Sequence, residues 1–222
     1  MGQDITIPTG GTHCIGAYLA RPDGTPKGGL VVIQEIFGVN AHMRSVVDRF
    51  AGLGYTAIAP AFFDHLETGV DLGYDQVGAN KGKRLVAELG LEQAVEDVAS
   101  AAESIASAGR IGTVGYCWGG TVALLAALRL GLPSVSYYGA RNLAFLHEVP
   151  KAPVIFHFGE KDPSITPEMV EKHRIALPQM DVHTYPTGHA FNRDGSAAYH
   201  EASATLALQR TLAFFEKHLA GA

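Results

Sequence analysis

Cysteine is nearly absent from this chain of 222 residues: Cys14 and Cys117 are the only two. Two are too few for a disulfide framework and fit a reducing compartment. A basic excess is also missing, since 17 Lys and Arg stand against 22 Asp and Glu for a net charge of −5. That balance argues against a general nucleic-acid surface. No apolar run approaches the roughly 18 residues a bilayer span requires. The N-terminus has no basic stretch followed by an apolar core, so no secretory signal is expected. A cytoplasmic protein without membrane or nucleic-acid partners is the reading these absences favour. Met1-Gly2-Gln3-Asp4-Ile5-Thr6 does satisfy the N-myristoylation pattern. Nothing polybasic supports it, and Ile5 and Thr6 are better read as part of a first strand.

What is present is an alternation of apolar runs and helical periods, the pattern of a parallel sheet covered by helices. "CIGAYLA" (14–20) reads as an early strand paired with residues near 4–8, and "GLVVIQE" (29–35) as a buried strand. A glycine-closed helix over 42–54 and a strand over 55–60 follow. Residues 61–82, of mixed polarity, read as a long excursion. A periodic helix is expected over 91–108, a strand over 110–115 and an Ala- and Leu-rich helix over 119–130. Later strands are expected over 134–139, 153–159 and 180–186, and helices over 167–176 and 197–219. No repeat, linker or low-complexity tract interrupts this. The expectation is a single-domain α/β-hydrolase fold, a mostly parallel doubly wound sheet with helices on both faces.

The chemistry-bearing stretch is Gly115-Tyr116-Cys117-Trp118-Gly119. It fits G-x-S-x-G with sulfur in place of oxygen, between an expected strand and an expected helix. In that turn the nucleophile is strained, and side chains two residues to either side would collide with strand or helix. The helix N-terminus beyond it favours an anion, and the Trp118 N–H is a natural oxyanion donor. Buried inert cysteine is the ordinary alternative; Cys14, without such a setting, is read as a packing residue.

A thiol of ordinary pKa near 8.5 needs a base or a positive setting. In this arrangement the acid and then the histidine follow the nucleophile along the chain. His157 and His183 fall inside expected strands, His173, His200 and His218 on expected helices, and His147 in a connection. His189, in "TYPTGHAFNR", sits in a loop just past the last strand, at the carboxyl end where sites of open α/β sheets collect. For the acid, "GEKDPSI" offers Glu160 and Asp162. Asp162 is preferred because it lies deeper in the loop, before Pro163. The alternative duty of either carboxylate would be to cap the helix near Pro167. Glu35 ends the expected strand in "LVVIQEIFG"; spacing leaves it balanced between a site residue and a solvated rim carboxylate. Ile36 offers the second oxyanion-hole N–H.

These stretches together resemble the dienelactone hydrolase family, or carboxymethylenebutenolidases. "QEIFGVN" (34–40), "GYCWGG" (115–120), "YYG" (137–139), "GEKD" (159–162) and "GHAFNR" (188–193) carry the resemblance in order across most of the chain. It implies a cofactor-free, metal-free hydrolase acting on a small lactone or ester through a thioester. Cys117 would be the nucleophile, His189 its partner and Asp162 the orienter. Glu35 would hold the resting thiol and accept its proton, protecting it from oxidation. Ile36 and Trp118 would form the oxyanion hole, Arg193 would receive a substrate carboxylate, and Phe37 and Tyr138 would contact substrate. Arg193 has an alternative in a surface pair with Asp194.

One departure stands out. Family members specific for dienelactone carry a second arginine and a tyrosine before the helix expected over 91–108. Here "DQVGANKGKRLVAEL" has Lys81, Lys83 and Arg84, with neither residue in register. That bears on the substrate rather than on the acyl chemistry. The rival readings are a general carboxylesterase and a non-hydrolytic ligand-binding or thiol-sensing protein. Monomer and small homo-oligomer are both compatible with the sequence.

Overall fold

Five consecutive apolar residues, Gly29–Ile33, form a strand with every position buried, and so do Thr56–Pro60 and Val154–Gly159. Strands covered on both faces read as continuous apolar runs, whereas a half-exposed edge strand alternates. Gln3–Pro8 is of the second kind, with Ile7 its one buried residue.

The computed structural model describes residues 1–10 and 13–220. Its strands are β1 (Gln3–Pro8), β2 (Cys14–Ala20), β3 (Gly29–Ile33), β4 (Thr56–Pro60), β5 (Ile111–Tyr116), β6 (Ser134–Tyr137), β7 (Val154–Gly159) and β8 (Asp181–Tyr185). Its α-helices are α1 (Ala41–Gly52), α2 (Gln76–Ser104), α3 (Trp118–Leu125), α4 (Pro167–Ala176) and α5 (Glu201–Leu219). The chain divides into two compact units, Met1–Thr113 with Leu219–Ala222 and Val114–His218, and the division falls inside β5.

In the first unit the strand order is β1-β2-β4-β3. β1 pairs antiparallel with β2, with Ile5 opposite Ala17, and β2 antiparallel with β4; β3 and β4 are parallel, Leu30 opposite Ala57. The loop before α1 ends at Asn40, whose side chain accepts the Met43 N–H at 3.1 Å and so caps the helix. In the second unit β6, β7 and β8 run parallel, with Tyr137 opposite His157 and His157 opposite His183. A π-turn over Ala126–Leu130 extends α3, and Thr166 caps α4, whose first residue is Pro167.

Four expectations need correcting. The excursion does not run to Gly82: it ends at Asp75, whose carboxylate accepts the Gly78 N–H at 2.7 Å and starts α2. Gly78 and Gly82 disguise that first limb, but both are needed for packing. A Cβ would lie 2.0 Å from the Gly73 carbonyl at 78 and 2.0 Å from the Ile36 carbonyl at 82. Gly90, at φ 78°, then breaks the helix, and the expected helix from Leu91 is its second limb. Second, β3 stops at Ile33, so Gln34 and Glu35 lie beyond the strand. Third, Cys14 is exposed at the start of β2 rather than packed. Fourth, α5 begins at Glu201, which leaves His200 ahead of the helix, its Nδ1 2.8 Å from Ser203 Oγ.

Candidate active site

The five residues 115–119 occupy the junction of β5 and α3. Cys117 stands between them at φ 55°, ψ −115°, one of three non-glycine residues at positive φ among those described. A β-carbon on Gly115 would fall 1.8 Å from the Gly119 carbonyl, and one on Gly120 2.5 Å from the Tyr137 carbonyl. Strand, turn and helix are thus pressed together more closely than any side chain permits. The Cys117 N–H is tied to the Tyr137 carbonyl at 3.0 Å. Its thiol is partly exposed, whereas Trp118, the first residue of α3, is buried.

Asp162 and His189 come from the loops after β7 and β8. These loops run side by side: Glu160 N–H donates to the Tyr185 carbonyl at 2.8 Å and Lys161 N–H to the Thr187 carbonyl at 2.9 Å. A Cβ at Gly159 would meet the Thr187 and Gly188 carbonyls at 2.5 Å, so glycine permits the approach. Asp162 folds inward beside Pro163, and Glu160 stays exposed. Asp162 Oδ1 accepts the Ser164 N–H at 2.8 Å, and Oδ2 lies 2.6 Å from His189 Nδ1. The Cys117 side chain is near enough to this ring to help raise its pKa. Burial alone would push the imidazole pKa down. The hydrogen bonds to Asp162 and Cys117 and the charges of both groups outweigh it and raise the value from 6.5 to about 10.

Aromatic rings frame this constellation. The Tyr138 ring lies 4.9 Å from the His189 imidazole and 5.7 Å from Phe191, and both side chains are fully buried. The other two positive-φ residues are here as well, Tyr138 at 40° and Ala190 at 60°. Strain of this kind clusters where a structure fixes a working geometry. The positive φ beside the histidine and the wall made by Phe191 had no signal in the sequence beyond the "GHAF" stretch itself. Arg193 is half-buried on the same loop, its N–H on the Ala190 carbonyl at 3.0 Å, and Asp194 is exposed.

The remaining candidates belong to the first unit. Glu35 is buried just past β3, with its backbone carbonyl accepting from the Gln34 side chain at 3.3 Å. Ile36 is half-buried, and Phe37 packs edge-on against Tyr74 at 4.6 Å. Of the three cations before the second limb of α2, Lys81 is engaged by Glu67 at 2.6 Å, and Lys83 and Arg84 point to solvent. Among the described residues no group of three or more His, Cys, Asp or Glu could hold a metal ion. No described helix is long and apolar enough to cross a membrane.

A strained turn between strand and helix, followed in order by a carboxylate and a histidine on loops at the ends of later strands, is the layout of an α/β hydrolase. Within that class the chain belongs to the dienelactone hydrolase family, whose model matches residues 15–219. It is 33% identical to a carboxymethylenebutenolidase of Pseudomonas putida, over 96% of this chain and 95% of that one. It is 32% identical to carboxymethylenebutenolidase 1 of Cupriavidus pinatubonensis, over 95% and 94%. A solved structure of a dienelactone hydrolase candidate from Klebsiella pneumoniae superposes with a TM-score of 0.86 at 32% identity, covering 98% of this chain and 99% of that one. The chain is therefore a lactone or ester hydrolase with the α/β-hydrolase fold.

Proposed function

We propose that this enzyme cleaves a small, anionic lactone or enol ester through a thioester on Cys117, with His189 as acid and base and Asp162 as its orienter. The observation that carries the reading is the hold of Asp162 on His189 Nδ1 at 2.6 Å, with Cys117 at positive φ in the turn at the start of α3. An imidazole with a pKa of about 10 is protonated at neutral pH. Once the thiol has passed its proton to Glu35, the role the resemblance gives that carboxylate, the thiolate attacks the substrate carbonyl carbon, and the Trp118 N–H donates to the developing oxyanion. Collapse of that intermediate breaks the ring C–O bond, and His189 gives its proton to the departing enolate or alkoxide.

The thioester then carries no charge on sulfur. Two of the influences that hold the proton on His189 disappear with it, so the neutral ring is free to act as a base. It takes a proton from water, whose oxygen attacks the thioester; the C–S bond breaks, and thiolate and imidazolium are restored. The same pair thus serves both half-reactions because its electrostatics change with acylation.

Arg193, four residues beyond His189, supports an anionic substrate, as does the carboxymethylene-bearing lactone that the relatives are named for. The roles of Glu35 as proton acceptor for the resting thiol, Ile36 as second N–H donor and Phe37 as a substrate contact rest on the resemblance. So does action without a cofactor.

Replacing Cys117 by Ala is expected to reduce kcat at least about a thousandfold with the fold intact. Mass spectrometry of wild-type enzyme quenched with a slow lactone should find the acyl mass on Cys117. Wild-type rates in Cys117→Ala would end the proposal.

A further inference from the structure

Behind Cys117 the second unit contains a buried polar chain that the mechanism does not use. It begins at Arg210 on α5, whose Nη1 lies 3.1 Å from the Tyr185 hydroxyl. That hydroxyl is 2.8 Å from His157 Nδ1; His157 Nε2 is 3.2 Å from Thr211 Oγ1, and Thr211 Oγ1 is 2.8 Å from the Tyr137 hydroxyl. His157 and Thr211 are wholly buried, and Tyr137 and Tyr185 nearly so.

The order of donors follows from the one group that can only donate. Arg210 donates to the Tyr185 oxygen, which leaves the Tyr185 O–H available to donate to His157 Nδ1. Burial first, then the charges of His183 and Arg210, hold the His157 pKa well below 6.5, so the ring is neutral. With Nδ1 accepting, its single proton sits on Nε2 and is donated to Thr211. In this tautomer every link can be satisfied, with either hydroxyl donating between Thr211 and Tyr137.

The chain ends on the backbone that ties down Cys117 and bears the ring beside His189. The Tyr137 carbonyl accepts the Cys117 N–H at 3.0 Å, and the Tyr138 N–H donates to the His157 carbonyl at 2.8 Å. The Tyr138 ring lies 4.9 Å from the His189 imidazole. Cys117 and Tyr138 are both at positive φ, a conformation that persists only where the surroundings over-determine it.

We propose that Arg210, Tyr185, His157, Thr211 and Tyr137 form a positioning chain that holds the Tyr137–Tyr138 backbone and through it sets the thiol of Cys117 against the imidazole of His189. The proposal rests on the assignment of Cys117 and His189 as the reacting pair. None of its members needs to touch substrate.

Thr211→Val keeps the side-chain shape and removes the bridging hydroxyl, whereas Thr211→Ser keeps the hydroxyl and loses a methyl group. With a p-nitrophenyl ester, Thr211→Val is expected to lower kcat about tenfold with KM within about twofold, the signature of misaligned groups rather than lost binding. Iodoacetamide alkylation of Cys117 at neutral pH, followed on its own peptide because Cys14 is exposed, should slow severalfold in the same variant. Thr211→Ser should match wild type in both readouts despite its lost packing. Tyr185→Phe, which cuts the chain between Arg210 and His157, should behave as Thr211→Val and carries the test if that variant does not fold. The proposal is overturned if Thr211→Val retains kcat and alkylation rate, or if Thr211→Ser is as impaired as Thr211→Val. Activity surviving in Cys117→Ala would overturn the thioester reading instead. The alkylation rate, measured without turnover, would still decide the positioning claim.

Discussion

At Cys117 one backbone angle decides how the side chain is used. A φ of 55° swings the thiol out of the strand direction at the start of α3, and the glycines around it exist to let that happen. The same logic separates Asp162 from Glu160 two residues earlier: a buried carboxylate with a histidine at 2.6 Å is oriented, an exposed one is solvated. Arg193 tests the proposed substrate at this scale. It is half-buried on the histidine loop, where a charge-assisted hydrogen bond to a carboxylate is worth about 2 kcal/mol, or roughly thirtyfold. Arg193→Ala is expected to lower kcat/KM for a carboxylate-bearing lactone by about that factor while a neutral p-nitrophenyl ester changes little. Equal losses on both substrates would point to a general esterase site in which the arginine is structural.

The first limb of α2 is where element-level reasoning has most to explain. Its glycines weaken intrinsic helicity, yet Gly82 lets the helix approach the Ile36 carbonyl closely. Gly82→Ala, normally a stabilising change in a helix, should here cost about 2 kcal/mol through overpacking against backbone. A urea midpoint equal to or above wild type would contradict the packing argument. This limb also marks how far the sequence could be read. Buried strands were legible because burial on both faces leaves an unbroken apolar run, as in Gly29–Ile33 and Val154–Gly159. The turn at Cys117 and the loops of Asp162 and His189 were legible because their chemistry follows from local chain order. Gln76–Leu89 was not, since Gly78 and Gly82 answer to distant carbonyls that no local pattern shows. The Arg210–Tyr137 chain was hidden for the same reason: its links join α5 to three separate strands. A histidine inside a strand gave no hint that its two nitrogens had partners.

For the whole molecule, the sequence is read as one domain, and the division of the chain inside β5 makes unfolding the natural test. A single domain predicts one calorimetric transition, with van't Hoff and calorimetric enthalpies in agreement. Its midpoint should depend on pH in two opposite ways. His189 binds its proton more tightly folded than unfolded, with a value of about 10 against an ordinary 6.5. Its contribution is therefore complete below about pH 6.5 and is lost as pH rises through about 10. His157, His173 and His183 are all shifted downward, chiefly by burial. They bind protons less tightly in the fold than once unfolded, so their contribution is present above about pH 6.5 and declines below it. The two slopes place the stability maximum near neutral pH. Thermal scans from about pH 5 to about pH 10 should find it there, and His189→Asn should flatten the alkaline slope while leaving the acid one. An alkaline slope that survives in that variant would assign it to groups other than the histidine held between Asp162 and Cys117.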